Sequence, residues 1–315
     1  MSIMAAENPE VEKRDLTSYS YLKDDNEKES IDNGYTPNIP ETSQFYCDAM
    51  NDGNINMALN NVKPELIVLI GFSDYGKSTF VGSLYYYLIT KGIVGGYELY
   101  DSDTFAGFER RLYLRNIKND EAAKSKTLRT EEDDDYLLTL TFYNRSLKEK
   151  KQLIISDRAG ETYKKYVNIK DRIKKDESLQ SAQRVLILVD STQLQEGWDI
   201  QEGLFRQLFG GLKECGKMPK DATFTLLFNK IDLVNADENL KMAYNHEKQT
   251  VETFFCSELG IENGQLDVRE IDSKHIHDNA NFEALVNDLV KKDDTYKSEE
   301  QKLKKVLDWV GEKLK

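Results

Sequence analysis

Residues Gly71 to Ser78 read GFSDYGKS and fit the spacing G-x-x-x-x-G-K-[ST]. Glycines at 71 and 76 let such a loop curl until its N–H groups point inward at anionic oxygens. Lys77 then carries charge to the β and γ phosphates of a nucleotide, as a binding and catalytic group, and the Ser78 hydroxyl is a hard ligand for Mg²⁺. Asp74 and Tyr75 complete the loop, and Thr79 follows in a helix whose positive dipole end favours phosphate. The alternative is a chance match in a glycine-rich turn. The apolar strand before the loop and the helix after it argue against chance.

Two more clusters follow in the order that one site requires. DRAGE, Asp157 to Glu161, puts a carboxylate at a strand end and a glycine three residues on. Asp157 suits a water-mediated hold on Mg²⁺, and the Gly160 N–H suits the γ phosphate. D-x-x-G alone is common, so its weight comes from its position after Lys77. FNKIDL, Phe228 to Leu233, sets Asn229, Lys230 and Asp232 behind an apolar run. A carboxylate at Asp232 accepts from both the N1–H and the 2-amino group of guanine, whereas adenine has an acceptor at N1 and no such amino group. Guanine is therefore the expected base. Asn229 is expected to touch base and loop, and the Lys230 stem to cover the ring. In IDSKH, Ile271 to His275, the N–H groups of Ser273 and Lys274 are candidates to meet the guanine oxygen, against the plainer reading of an ordinary loop. His246, His275 and His277 read as surface histidines, since HEKQT at His246 lacks the second histidine of H-E-x-x-H.

These clusters need a scaffold, and the apolar pattern supplies one. Strand-length runs at Leu66 to Ile70, Leu137 to Phe142, Leu153 to Ile155, Val185 to Val189 and Phe224 to Phe228 alternate with helix-period segments. That alternation predicts an α/β fold: a doubly wound, mostly parallel sheet with helices on both faces. The polar NRSLKEKKQ between the second and third runs is too short for a crossover helix, so one antiparallel strand is expected there. Phe80, Leu84, Tyr87 and Leu88 repeat at helical spacing, as do Leu204, Phe205, Leu208, Phe209 and Leu212. Leu303, Val306, Leu307, Val310 and Leu314 form a last amphipathic stripe, read as packing on the domain or engaging a partner helix. Residues 1–62 are polar and acidic and read as a disordered arm, within which Phe45 to Met50 is the candidate to dock. The domain is expected over 63–315, with an insertion near 95–135.

The formal charge of −13 repels phosphate backbones and argues against nucleic acid as a partner. No apolar run reaches the length of a membrane span, and MSIMAAENPEVEKRD lacks the basic and apolar regions of a secretory signal, so a cytoplasmic protein is expected. Cys47, Cys215 and Cys256 match neither a disulfide framework nor a zinc pattern.

GFSDYGKS, DRAGE and FNKID in this order resemble the translation-factor-related (TRAFAC) class of P-loop GTPases with a Ras-like G domain, over roughly residues 64–292. YDSDTFAGFERR, LRTEEDDDYLLTLTFYN and SDRAGE are together similar to bacterial GTPases of the double-GTPase type. The resemblance implies GTP hydrolysis with Mg²⁺, GTP and GDP as bound nucleotides, a switch role towards an effector or activating protein, and a setting in bacterial conflict or defence. It also implies a switch threonine that meets Mg²⁺, for which Thr130 is the choice over Thr104 and Thr127. Arg129 is the candidate arginine in cis, or else a solvated side chain. Glu161 stands where Ras-like enzymes carry a water-orienting glutamine, or else is a solvated glutamate opening a helix. Two other readings stand beside hydrolysis: a GTP-dependent switch or scaffold that scarcely turns over, and a P-loop ATPase or kinase, which leaves Asn229 to Asp232 unexplained.

Overall fold

Near-continuous apolar runs with no polar face mark strands covered on both sides. They fold as the middle of one sheet in the computed structural model, which describes residues 48–58, 64–116, 136–276 and 279–291. Among these, eight strands are ordered β2-β3-β4-β5-β1-β6-β7-β8. They are β1 (Pro64–Ile70), β2 (Ile93–Val94), β3 (Tyr97–Asp101), β4 (Leu137–Asn144), β5 (Glu149–Ser156), β6 (Arg184–Asp190), β7 (Thr223–Asn229) and β8 (Asp267–Glu270). From β5 through β1, β6 and β7 to β8 every pairing is parallel. The expected β4–β5 hairpin is present, with Leu137 opposite Ser156 and Asn144 opposite Glu149. Beyond it lie β3 and then β2, each antiparallel to its neighbour.

Helices cover the sheet. They are α1 (Lys77–Lys91), α2 (Phe105–Asn116), α3 (Gly160–Asn168), α4 (Lys170–Lys175), α5 (Ser178–Ser181), α6 (Asp199–Glu214), α7 (Ile231–Ala236), α8 (Glu238–Leu259) and α9 (Ala280–Val290). The two helical stripes are core faces: Phe80, Leu84, Tyr87 and Leu88 of α1 are buried, as are Phe205, Leu208, Phe209 and Leu212 of α6. Phe282 of α9 meets the rings of Phe80 and Tyr87, and Trp198 stacks on Phe205. None of the described helices is long and apolar enough to cross a membrane.

The compact unit that holds these elements starts at Phe45. Ala49, Met50, Ile55 and Ala58 are buried in its core. Met50 bridges Leu137 at the start of β4, donating to its carbonyl and accepting from its N–H. The stripe from Leu303 to Leu314, together with Arg129, Thr130, Thr127, His277 and Cys47, lies outside the described residues.

β1 is central in both senses. Later strands are laid to either side of it, β5 on one edge and β6 on the other. The loops leaving the carboxyl ends of such strands enclose a crevice, the usual ligand position in open α/β sheets. All three sequence clusters leave from there.

Candidate nucleotide-binding site

The loop after β1 turns into α1 through Gly76, whose φ of 86° falls in the left-handed region, with no side chain capping the helix. A Cβ at Gly76 would stand 2.2 Å from Asn229 Nδ2, so a larger residue is shut out by conformation and by space. Lys77 is buried and donates through Nζ to the carbonyls of Gly71 at 2.8 Å and Phe72 at 3.0 Å. Its ammonium thus lies across the loop, at the mouth of the helix. Asp74 is exposed at φ 67°. Tyr75 turns its ring inward between Phe72 and Phe205, and burial raises its phenol pKa well above the usual value, with the charge of Asp190 adding to the effect. Its contribution to the loop is its backbone. Ser78 and Thr79 sit half-buried in the first turn of α1.

Asp157, fully buried beyond the end of β5, accepts from Ser78 Oγ at 3.2 Å through Oδ1. A hydroxyl and a carboxylate brought together in this way form a hard-oxygen donor pair, which fits Mg²⁺. Through Oδ2 the same carboxylate accepts from Arg111 Nε at 2.7 Å. Gly160 opens α3 against the phosphate loop, where a Cβ would stand 2.2 Å from the Ser73 nitrogen. Glu161 accepts from Ser73 Oγ at 2.6 Å, so the residue expected to orient water is tied to the loop itself. Thr104 is buried, its Oγ1 accepting from the Thr139 N–H at 2.8 Å, and it serves the packing of α2.

At the other end of the crevice Asn229 joins two loops. Its Nδ2 donates to the Tyr75 carbonyl at 2.9 Å, and its Oδ1 accepts from Ser273 Oγ at 2.8 Å and from the Ser273 N–H at 3.3 Å. The side chain expected to touch the base is thereby occupied with the loops. Ser83 of α1 donates to the Ser273 carbonyl, closing the link. The Lys274 N–H donates to Asp272 Oδ1 at 2.7 Å. Lys230, at φ 63°, donates through Nζ to Asp190 Oδ2 at 2.6 Å, which fixes the stem beside the loop. Asp232 is half-buried, and His275 Nδ1 lies 3.7 Å from it and 2.7 Å from Asp272. With its side chain 65% exposed, His275 is a surface histidine.

Three residues here escape a reading by motif. Asp190 ends β6 and carries no pattern of its own, although the apolar run before it marks a strand terminus at the crevice. Arg111 lies in FERR within the segment YDSDTFAGFERR, and only the docking of α2 reveals its partner. Arg158, inside DRAGE, is nearly buried: it donates to Asp176 Oδ1 at 3.0 Å and packs its guanidinium over the Tyr136 ring at 3.8 Å.

A model of the family described as Double-GTPase 2 matches residues 65–290. Among solved structures the chain is similar to the crystal structure of the bacterial selenocysteine-specific elongation factor EF-Sec, at 15% identity and a TM-score of 0.36. That match covers 72% of this chain and 28% of the other, so the chain spans little more than a quarter of the factor's length. No curated protein matches it.

Proposed function

The chain belongs to the Double-GTPase 2 family and is a GTP-binding protein, and from that premise we propose that it hydrolyses GTP to GDP and phosphate slowly, with Mg²⁺, as a molecular switch. The observation that carries the reading is Asn229, whose one side chain ties the phosphate loop at Tyr75 to the loop of Ser273. The phosphate loop and the loop of Ser273 are thereby held as one unit, and Asp232, half-buried in the first turn of α7, is the acceptor proposed for the N1–H and 2-amino group of guanine. Lys77 neutralises the β and γ phosphates, and the first turn of α1 binds them through backbone N–H groups. Ser78 and Asp157 are the residues that would hold Mg²⁺, with Thr130 as the proposed third. When bound, such an ion would offset the negative charge that develops on the phosphate oxygens. Gly160 gives its N–H to the γ phosphate, and Glu161 orients the attacking water. A carboxylate there accepts from water but has no N–H to give the phosphate, which is the reason for expecting slow turnover.

A second reading has one observation in its favour. Because Ser73 holds Glu161, the water-orienting group has a competing partner, which suits a switch that binds GTP without turning it over. In either case an effector or activating protein is the implied partner, in a cytoplasmic setting. Binding is tested by displacement of a fluorescent GDP analogue. GDP and GTP are expected to displace it and ATP to fail; equal displacement by ATP would overturn the guanine reading. Single-turnover hydrolysis on GTP-loaded protein then separates a slow enzyme from the switch without turnover.

A further inference from the structure

Arg111 and Asp157 form an ion pair at 2.7 Å with both side chains almost wholly buried, at 2% and 0% exposure. Such a pair is an inefficient way to stabilise a fold, since two desolvated charges are often matched or bettered by apolar groups of the same size. Its satisfaction is also incomplete. Nε donates to Asp157 and Nη1 to the Gly107 carbonyl of the same helix at 2.9 Å, but Nη2 is buried with no hydrogen-bond partner. The carboxylate it grips is the one whose other oxygen lies 3.2 Å from Ser78 Oγ. Arg111 therefore puts a full positive charge on the far side of a carboxylate that faces the candidate Mg²⁺ donors.

Two cations on one buried carboxylate repel each other strongly, because little water screens them. We propose that Arg111 is a resident cation that stands in for Mg²⁺ at Asp157 and lets go as the metal and nucleotide load, so that α2 responds to the metal. The inference rests on the guanine-nucleotide reading of the site. Arg111 acts as a positioning residue: it holds Asp157 in place before loading through the 2.7 Å Nε–Oδ2 contact, and its release would leave that carboxylate available to the ion. The consequence reaches beyond one side chain, because α2 is docked on α1, the helix that starts with Lys77. The Tyr85 ring stacks on Phe108 at 4.9 Å, and Tyr85 OH donates to Glu109 at 3.0 Å. A guanidinium that gives up its grip on Asp157 removes one anchor from the middle of α2 while the contacts of Phe108 and Glu109 with Tyr85 persist.

The test begins with the parent protein, titrated with a fluorescent GDP analogue in EDTA and in a Mg²⁺ series. If no guanine nucleotide binds under any condition, the functional reading itself falls. Where it binds, Arg111→Gln is expected to reach half-saturation at a Mg²⁺ concentration lower by about fivefold or more, since the competing charge is gone. Arg111→Lys, which keeps the charge, is expected to shift it less than Arg111→Gln does. Identical half-saturation in Arg111→Gln and parent, or a rise in the variant, would overturn the proposal and leave nucleotide binding standing. Should Arg111→Gln fail to fold, hydrogen exchange on the parent decides. Amides of residues 105–112 are expected to exchange faster with nucleotide and Mg²⁺ than with the same nucleotide in EDTA, and equal protection would overturn the proposal.

Discussion

Asp232 acts through charge and geometry at one edge of a base, so its role is separable from the fold. Asp232→Asn exchanges an acceptor for a group that also donates. Xanthine carries an oxygen where guanine carries its 2-amino group, so the variant is expected to lose affinity for GTP and gain it for xanthosine triphosphate. Competition binding with the two nucleotides checks this, and a retained preference for GTP would count against the base pocket. Glu161 is the more contested residue because Ser73 Oγ already donates to it. Glu161→Ala is expected to bind GTP as the parent does and hydrolyse it at least about tenfold more slowly, roughly 1.4 kcal/mol of transition-state stabilisation. Ser73→Ala should alter the rate only where Glu161 is present, so the double variant should behave like Glu161→Ala alone. Single-turnover rates for the four proteins settle it. If Ser73→Ala acts equally in both backgrounds, the hydrogen bond has no part in catalysis.

The segment that follows β5 is anchored by charge as well as by packing. Arg158 donates to Asp176 and Ser178, Tyr166 OH donates to Asp176 Oδ2 at 2.6 Å, and the Ser178 N–H donates to Asp176 Oδ1 at 3.0 Å. Burial alone would raise the pKa of Asp176; the charge of Arg158, with the donors from Tyr166 and Ser178, outweighs it and holds the carboxyl below its ordinary 3.8. A depressed carboxylate stabilises the fold above its unfolded pKa and loses that contribution as pH falls through the folded one. Asp176→Asn leaves Arg158 buried without its counter-charge and is expected to cost about 3–5 kcal/mol at neutral pH. The gap in melting temperature between parent and variant should narrow as pH drops below 3.8. A gap independent of pH would mean that the network holds by shape alone. This is also the scale at which sequence and structure part company. β1, β4, β5, β6 and β7 were legible because strands buried on both faces read as unbroken apolar runs. β3, YELYD, is half-exposed near the sheet edge and carries no such run, and β8, DVRE, is a polar strand at the other edge. Between β2 and β3 the pair Gly95 and Gly96, both at positive φ, makes the tight turn, a local signal carried by two residues rather than by an apolar run. In the site, the phosphate loop and the guanine motif were legible because backbone geometry and base chemistry dictate local spacing. Arg111 was not: Arg129 and Arg111 look alike in one dimension, and only α2 packed on α1 brings one of them to Asp157.

At the scale of the whole chain the question is where the domain begins, since the acidic composition of the first sixty or so residues reads as one arm and the contacts divide it. Met50 exchanges backbone hydrogen bonds with Leu137 at 2.7 and 2.8 Å, and its carbonyl also accepts from the Tyr136 N–H at 2.9 Å. Tyr136 OH donates to Asp52 at 2.5 Å, and Gln152 Nε2 of β5 donates to the Ala58 carbonyl at 2.7 Å. A Cβ at Gly107 would stand 2.8 Å from the Ala49 nitrogen, so α2 also leans on this segment. Residues 48–58 therefore brace the start of β4 and the helix that carries Arg111. Removing them exposes the surfaces that Met50 and Ile55 cover, at about 1.5–3 kcal/mol for each fully buried side chain, besides the lost backbone pairing. Deletion of residues 1–60 is accordingly expected to lower the melting temperature by roughly 10 °C. Deletion of residues 1–44 removes a polar acidic stretch that buries little by composition and is expected to change it by less than about 2 °C. Thermal melts of the two truncations beside the full chain make the comparison. Equal stability for both would show that the domain stands on the sheet and helices after Pro64 alone, and a large loss from the shorter deletion would move its boundary towards the N-terminus.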